Sequence, residues 1–205
     1  MGVVGERIVL ELNGISCIDL EESAEPRKNI CCSRSFGKLI TEKTELKEAV
    51  ANYVCRAAEK LRADQTVASV LQVFLLTNPF RAEPQYTPQL TLRLPEPTSY
   101  TPTLMTHALN LVDKMFRPEF NYNKAGVLLC DLIPETEVPQ DLFLSLENRA
   151  RKEAAIQTID RLNQKFGRNK IQFAAQGFER EWKVRANHCS TSFTTNWCDL
   201  LTVQL

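Results

Sequence analysis

Residues 67–94 read VASVLQVFLLTNPFRAEPQYTPQLTLRL. The opening VASVLQVFLLT is nearly all apolar, rich in β-branched residues and stopped by Asn78-Pro79, which predicts a buried strand. The closing QLTLRL alternates Leu90, Leu92 and Leu94 with Thr91 and Arg93, the period of a strand with one wet face. Between them, NPFRAEPQYTP is too long for a tight hairpin and carries three prolines, so it predicts an irregular surface loop joining two neighbouring strands.

A helix flanks this pair on each side. Leu46, Val50, Tyr53, Val54, Ala57, Ala58 and Leu61 recur at helical spacing after Thr41 and Thr44, either of which is a candidate cap. Leu104, Ala108, Leu111, Val112, Met115 and Phe116 mark a second helix that ends before Arg117-Pro118. A further strand stands outside each helix, NICCSRSFGKLI ahead and KAGVLLCDLI behind. Residues 30–133 therefore spell strand, helix, strand, strand, helix, strand. That order predicts an α+β fold, the ferredoxin-like split βαβ sandwich (βαββαβ), whose four-stranded antiparallel sheet carries both helices on one face. The other face is then free to meet a partner unless another segment covers it. Many unrelated proteins share this architecture, so it assigns no function by itself.

The flanks differ in character. GERIVLELNGI predicts a short N-terminal helix with Ile8, Val9 and Leu12 apolar and Asn13-Gly14 as its stop. SLENRARKEAAIQTIDRLNQKFG predicts a helix with Ile156, Ile159, Leu162 and Phe166 on one side and Gly167 at its end. KIQFAAQGF has the composition of a strand, and the last stretch, rich in Ser, Thr and Asn with two tryptophans, has no visible core of its own. The C-terminal extension is thus expected to be mainly helical.

Across 205 residues, 25 Lys and Arg balance 25 Asp and Glu. Their distribution is uneven: residues 149–185 hold ten bases against four acids, while residues 1–30 hold six acids against three bases. The late basic stretch reads either as a surface for a polyanion or as a solvated helix face. Seven cysteines lack C-x-x-C spacing, which fits a reducing cytoplasm and thiols used as small core residues. His188-Cys189 with Cys198 supplies too few ligands for zinc, so neither a metal nor a cofactor is expected. No apolar run of membrane-spanning length is present, and no membrane partner is expected.

Four stretches in order carry a resemblance. CSRSFG (Cys32 to Gly37), NKAGVLL (Asn123 to Leu129), FAAQGF followed by Trp182, and SFTTNW before DLL resemble the C-terminal half of UmuC-type Y-family DNA polymerases, catalytic subunits of DNA polymerase V and its plasmid relatives. VVGERIVLELNGISC is similar to the end of that family's thumb domain. The resemblance implies a thumb remnant and linker at 1–29, a DNA-binding little finger at 30–134, a linker at 135–145 and a UmuC-type tail at 146–205. It implies an error-prone translesion polymerase of the SOS response, acting in DNA repair and mutagenesis.

On the little finger, small Ser33 and Ser35 would let backbone N–H groups approach phosphates, with Arg34, Lys38 and Arg93 supplying charge. Such contacts position primer-template or damaged DNA without reading its sequence. Arg34 as a merely solvated strand residue is the alternative. The family also carries, after the little finger, a Gln-Leu-x-Leu-Phe peptide that docks in a pocket of the replication sliding clamp. Here PQDLF occupies that place, with Gln140, Asp141, Leu142 and Phe143 as the clamp-binding residues. Gln140 lies three residues before Phe143 rather than four, and Leu142 and Phe143 could instead open the next helix. The tail implies contacts with a UmuD-type subunit or a RecA filament, although Asn196 stands where an Arg is more usual.

Nucleotidyl transfer needs clustered carboxylates holding metal ions, which the family keeps in a palm domain preceding the thumb. This chain starts at the thumb, so it is expected to have no polymerase activity as given. The competing readings are an interaction module without DNA binding and a ligand-sensing regulatory domain, which would need a polar pocket that no motif announces.

Overall fold

The structure, a computed structural model, describes residues 2–18, 26–138, 146–184, 189–193 and 195–200, with the side chains of 146–150 and 197 left aside. In chain order it contains α1 (Val3–Leu12), β1 (Asn29–Ile40), α2 (Lys43–Ala63), β2 (Thr66–Thr77), β3 (Gln89–Thr98), α3 (Thr101–Met115), β4 (Tyr122–Pro134) and α4 (Leu146–Phe166). The four strands form one antiparallel sheet in the order β1-β4-β2-β3. Each βαβ unit is split by an inserted antiparallel strand: β4 lies between β1 and β2, and β2 between β3 and β4.

Apolar residues at alternate strand positions bury one face of the sheet under α2 and α3. Leu71, Val73 and Leu75 of β2 meet Ala125, Val127 and Leu129 of β4, and all six are buried. Leu46, Val50, Val54 and Leu61 come down from α2, and Leu104, Ala108 and Val112 from α3, to complete that core. Seven side chains of this size, each worth roughly 1.5–3 kcal/mol when fully buried except the smaller Ala108, make the two helices and the sheet mutually dependent. Asp113 of α3 also meets Lys47 and Lys43 of α2 at 2.7 and 3.3 Å, tying the helices at their wet edge.

The helix ends meet their sequence expectation in part. Asn13 caps α1 and Gly14 follows at φ 81°, so that stop holds. Neither Thr41 nor Thr44 caps α2; Glu42 occupies the cap position in extended conformation without a side-chain bond, and Thr44 lies inside the helix. On α4, Ile156 is buried but Phe166 is 59% exposed, because the helix has left its support by its last turn. Cys32 and Cys55 are core residues, whereas Cys31, Cys189 and Cys198 are exposed.

KIQFAAQGF is not a strand. Residues 174–176 make a 3₁₀ turn in which Gln176 Oε1 accepts from the Phe173 amide at 2.9 Å, and Gly177 turns the chain at φ 65°. The competing force is a tertiary one: Asn52 of α2 donates to the Gln176 carbonyl at 2.7 Å, and the Gln176 amide returns to Asn52 Oδ1 at 3.3 Å. Gly177 stands at φ 65° and ψ 158°, a backbone conformation that side chains with a Cβ rarely adopt, so the turn onto α2 requires glycine; a Cβ there would also push aside the Glu48 carboxylate. Beyond it Trp182, 5% exposed, sits edge-on to Phe36 and Tyr53 at centroid distances of 6.1 Å. The Gly37 amide donates to the Trp182 carbonyl at 2.9 Å. The tail thus borrows α2 and the end of β1 as its core.

Candidate nucleic-acid interface

Directly paired residues of an antiparallel sheet point to the same side. Gly126 pairs with Ser33 on β1 and Phe74 on β2, one residue out of step with buried Val127, and therefore marks the face away from the helices. The same alternation places Cys31, Ser33 and Ser35 of β1 on that open face. Lys124 and Leu128 of β4, Gln72 and Leu76 of β2, and Thr91 and Arg93 of β3 join them. No carboxylate stands among these positions. A Cβ on Gly126 would lie 2.2 Å from Phe74 Cζ and 2.5 Å from Ser33 Cβ, so glycine lets the Phe74 ring lie flat across the middle strand. The result is a shallow, half-buried surface with polar small residues at the β1 edge and cations, Lys124 and Arg93, on two strands.

The five residues expected to meet DNA do not all share this face. Ser33, Ser35 and Arg93 do. Arg34 pairs with buried Ala125, so it projects on the helix side of β1, beside Tyr53. Its own position at the edge strand leaves the side chain exposed. Lys38 lies within the irregular stretch between Ser35 and Ile40 and bonds Glu45 and Glu181, both at 2.8 Å. Hydrogen bonds to Glu181 and Glu45 raise its ionisation, and a phosphate would have to displace one of these carboxylates. Gln140, Asp141, Leu142 and Phe143 lie outside the described residues, as does His188.

Sequence reasoning missed Lys124, Gln72 and Phe74 on the open face. Their strands were legible, but only the register reveals which alternate set faces away from the helices. It also missed a groove on the helix side. Here α4 stands off α2, held by Arg62, which grips Asp160 through Nε at 2.6 Å and Nη2 at 2.9 Å. Nη1 of the same residue reaches the Ser99 carbonyl and Thr101 Oγ1. Bidentate geometry at half-sheltered side chains makes this a firmer strut than an exposed pair. Among the described residues no group of three or more His, Cys, Asp or Glu is placed to hold a metal ion, and no helix is long and apolar enough to cross a membrane.

The description "impB/mucB/samB family C-terminal domain" matches residues 27–142, and "Domain of unknown function (DUF4113)" matches residues 153–203. Protein ImpB of Salmonella typhimurium is 38% identical over 199 residues, covering 97% of this chain and 47% of that protein. Protein UmuC of Salmonella typhimurium is 36% identical over 203 residues, covering 98% of this chain and 48% of that protein. Protein MucB of Escherichia coli is 36% identical over 197 residues, covering 96% of this chain and 46% of that protein. The chain spans about half the length of the curated relatives it matches. Among solved structures, the insertion ternary complex of Dbh DNA polymerase aligns with a TM-score of 0.43 at 14% identity, over 62% of this chain and 34% of that one. The complex of beta-clamp processivity factor and little finger domain of PolIV aligns at 0.37 and 18%, over 57% of this chain and 99% of that one. Scores at this level carry no residue correspondence.

Proposed function

The chain belongs to the impB/mucB/samB family, whose C-terminal domain it carries, and from that premise we propose that it is the DNA-holding, non-catalytic C-terminal portion of an error-prone translesion polymerase of the SOS response. The observation that carries this reading is the open sheet face. Among the described residues no helix covers it and no carboxylate stands at its strand positions; Gly126 leaves room for the Phe74 ring, and the face bears Ser33, Ser35, Lys124 and Arg93. Small side chains at an edge strand allow a phosphate backbone to approach main-chain N–H groups, and two cations neutralise it without reading bases. Arg34 adds charge from the β1 edge, and Lys38 joins if it releases Glu181.

The test is fluorescence anisotropy of a labelled primer-template duplex against the parent and an Arg93→Ala, Lys124→Ala double variant. Loss of two phosphate contacts lowers the log–log salt slope by about 1.8. A variant that binds the duplex with the parent's affinity and slope overturns the open-face assignment.

Tethering to a sliding clamp through Gln140, Asp141, Leu142 and Phe143 completes the proposal. Burial of Leu142 and Phe143 contributes roughly 1.5–3 kcal/mol each before ordering costs, enough for weak docking that gains by avidity. Calorimetric titration of purified clamp into the chain, with Leu142→Ala, Phe143→Ala as the comparison, reads this contact directly. The docked tail supports a second reading, recruitment of a UmuD-type subunit or a RecA filament. It turns Phe178 outward, 80% exposed, while its neighbours are held on α2. Partner binding that survives in a chain without DNA affinity selects this second reading.

A further inference from the structure

On the helix side, α2, α4 and the β1 edge enclose a groove of about 1390 Å³. That volume exceeds the usual span for one small ligand and suits a length of polymer. Seven cations and five carboxylates line it. Arg56 pairs with Glu59 and Arg62 with Asp160, which leaves Arg34, Lys60, Lys152, Arg161 and Arg168 against three carboxylates. The cations stand on both walls: Lys60 on α2, Arg34 on β1, Lys152 and Arg161 on α4, and Arg168 just past its end.

Two tyrosines add direction. Tyr53 lines the groove beside Arg34, is 5% exposed, and its hydroxyl has no hydrogen-bond partner among the described residues. An unpaired buried hydroxyl is costly unless an acceptor arrives, and burial pushes its ionisation up to about 12, so it remains a neutral donor at working pH. Tyr100 lines the opposite part of the groove with Lys152 Nζ 5.7 Å from its ring centroid. The ammonium lies over that ring, so a base stacking on this face takes its place while the ammonium turns to the adjoining phosphate.

We propose that this groove, built on α2 and α4 and bordering the open sheet face only along β1, is a second nucleic-acid site that holds a single strand by its phosphates and by stacking on Tyr100. Cations along both walls that have no ion pair among the described residues, with an aromatic among them, are the pattern that single strands use, whereas a duplex hides the base faces a tyrosine would meet. Phosphates and the carboxylates of an acidic peptide meet the same charges here, so Tyr100 is the feature that favours a nucleic acid, because a peptide of acids has no base to stack on it. The site does not depend on the open-face reading, because none of Lys60, Lys152, Arg161 and Arg168 is on that face.

The experiment is anisotropy of a short fluorescein-labelled oligothymidylate, and separately of a labelled duplex, with the full chain and two double variants. Arg161→Ala, Arg168→Ala removes exposed groove cations, and Arg93→Ala, Lys124→Ala removes open-face cations. The groove variant is expected to lose about tenfold or more in oligothymidylate affinity, with a salt slope lower by about 1.4, while its duplex affinity changes by less than about twofold. The open-face variant is expected to keep its oligothymidylate affinity whatever happens to the duplex. The proposal is overturned if the parent does not bind oligothymidylate, or if the groove variant binds it like the parent. It is equally overturned if polyglutamate displaces the strand as well as unlabelled oligothymidylate does, or if both variants lose the strand equally.

Discussion

Trp182→Ala isolates what holds the tail on the sheet domain. The indole is 5% exposed and contacts Phe36 and Tyr53 edge-on, so its removal deletes buried surface and two aromatic contacts at once. Truncations of this kind cost about 3–5 kcal/mol. The described tail residues meet the sheet domain on α2 and at the end of β1, away from the centre of the sheet, so the loss falls on local docking before it falls on the core. The Gly37 amide reports that docking, since it donates to the Trp182 carbonyl. At about 1.4 kcal/mol per tenfold, its hydrogen-exchange protection should fall by roughly two to four decades. Amides of buried Leu71 and Val127 in the middle of the sheet should keep nearly all of theirs. Native-state exchange followed by NMR or mass spectrometry measures both sets together. Undiminished protection at Gly37 would show that the Trp182 contacts do not hold the tail, and an equal fall across the sheet would show that the tail is part of the global folding unit.

Two further predictions follow from the same geometry. Gly126→Ala drives a Cβ to 2.2 Å from Phe74 Cζ and 2.5 Å from Ser33 Cβ, an overpacking cost of about 1–3 kcal/mol, read as a Tm lower by roughly 2–12 °C; an unchanged Tm would mean the open face yields freely. Asp113 is held below the ordinary carboxylate range by its bond to Lys47 and then by Lys43, so it stabilises the fold above the unfolded aspartate value of about 3.9 and that contribution is lost as pH falls through its lower folded value. NMR titration should place its midpoint below that value and show it rising in Lys47→Ala; the same midpoint in both would refute the helix–helix tie.

Much of the sheet domain was legible because its signals are local. NICCSRSFGKLI coincides with β1, and the alternation of Leu90, Leu92 and Leu94 coincides with a strand whose Leu94 reaches the core. The order of elements then restricted the architecture to a split βαβ sandwich, and Gly14 and Gly167 marked helix ends where φ is positive. Facing was harder to read. Arg34 sits between Ser33 and Ser35 in sequence, so it was grouped with them, yet neighbouring strand residues must point to opposite faces. Lys38 looked like a free charge because Glu181, one of its partners, is 143 residues away. FAAQGF read as a strand because its determinants, Asn52 and Glu48, lie on a helix far earlier in the chain. Likewise the groove is made by Arg62 holding Asp160 across 98 residues, a contact that no local pattern encodes.

The central claim is that duplex DNA lies on the helix-free face of the sheet. Amide chemical-shift mapping during titration with a primer-template duplex tests it most directly. The account predicts shifts concentrated at Ser33, Ser35, Gln72, Arg93, Lys124 and Gly126, with the outer surfaces of α2 and α3 unmoved. Shifts confined to those helices, with the six sheet amides unchanged at saturating DNA, would contradict it.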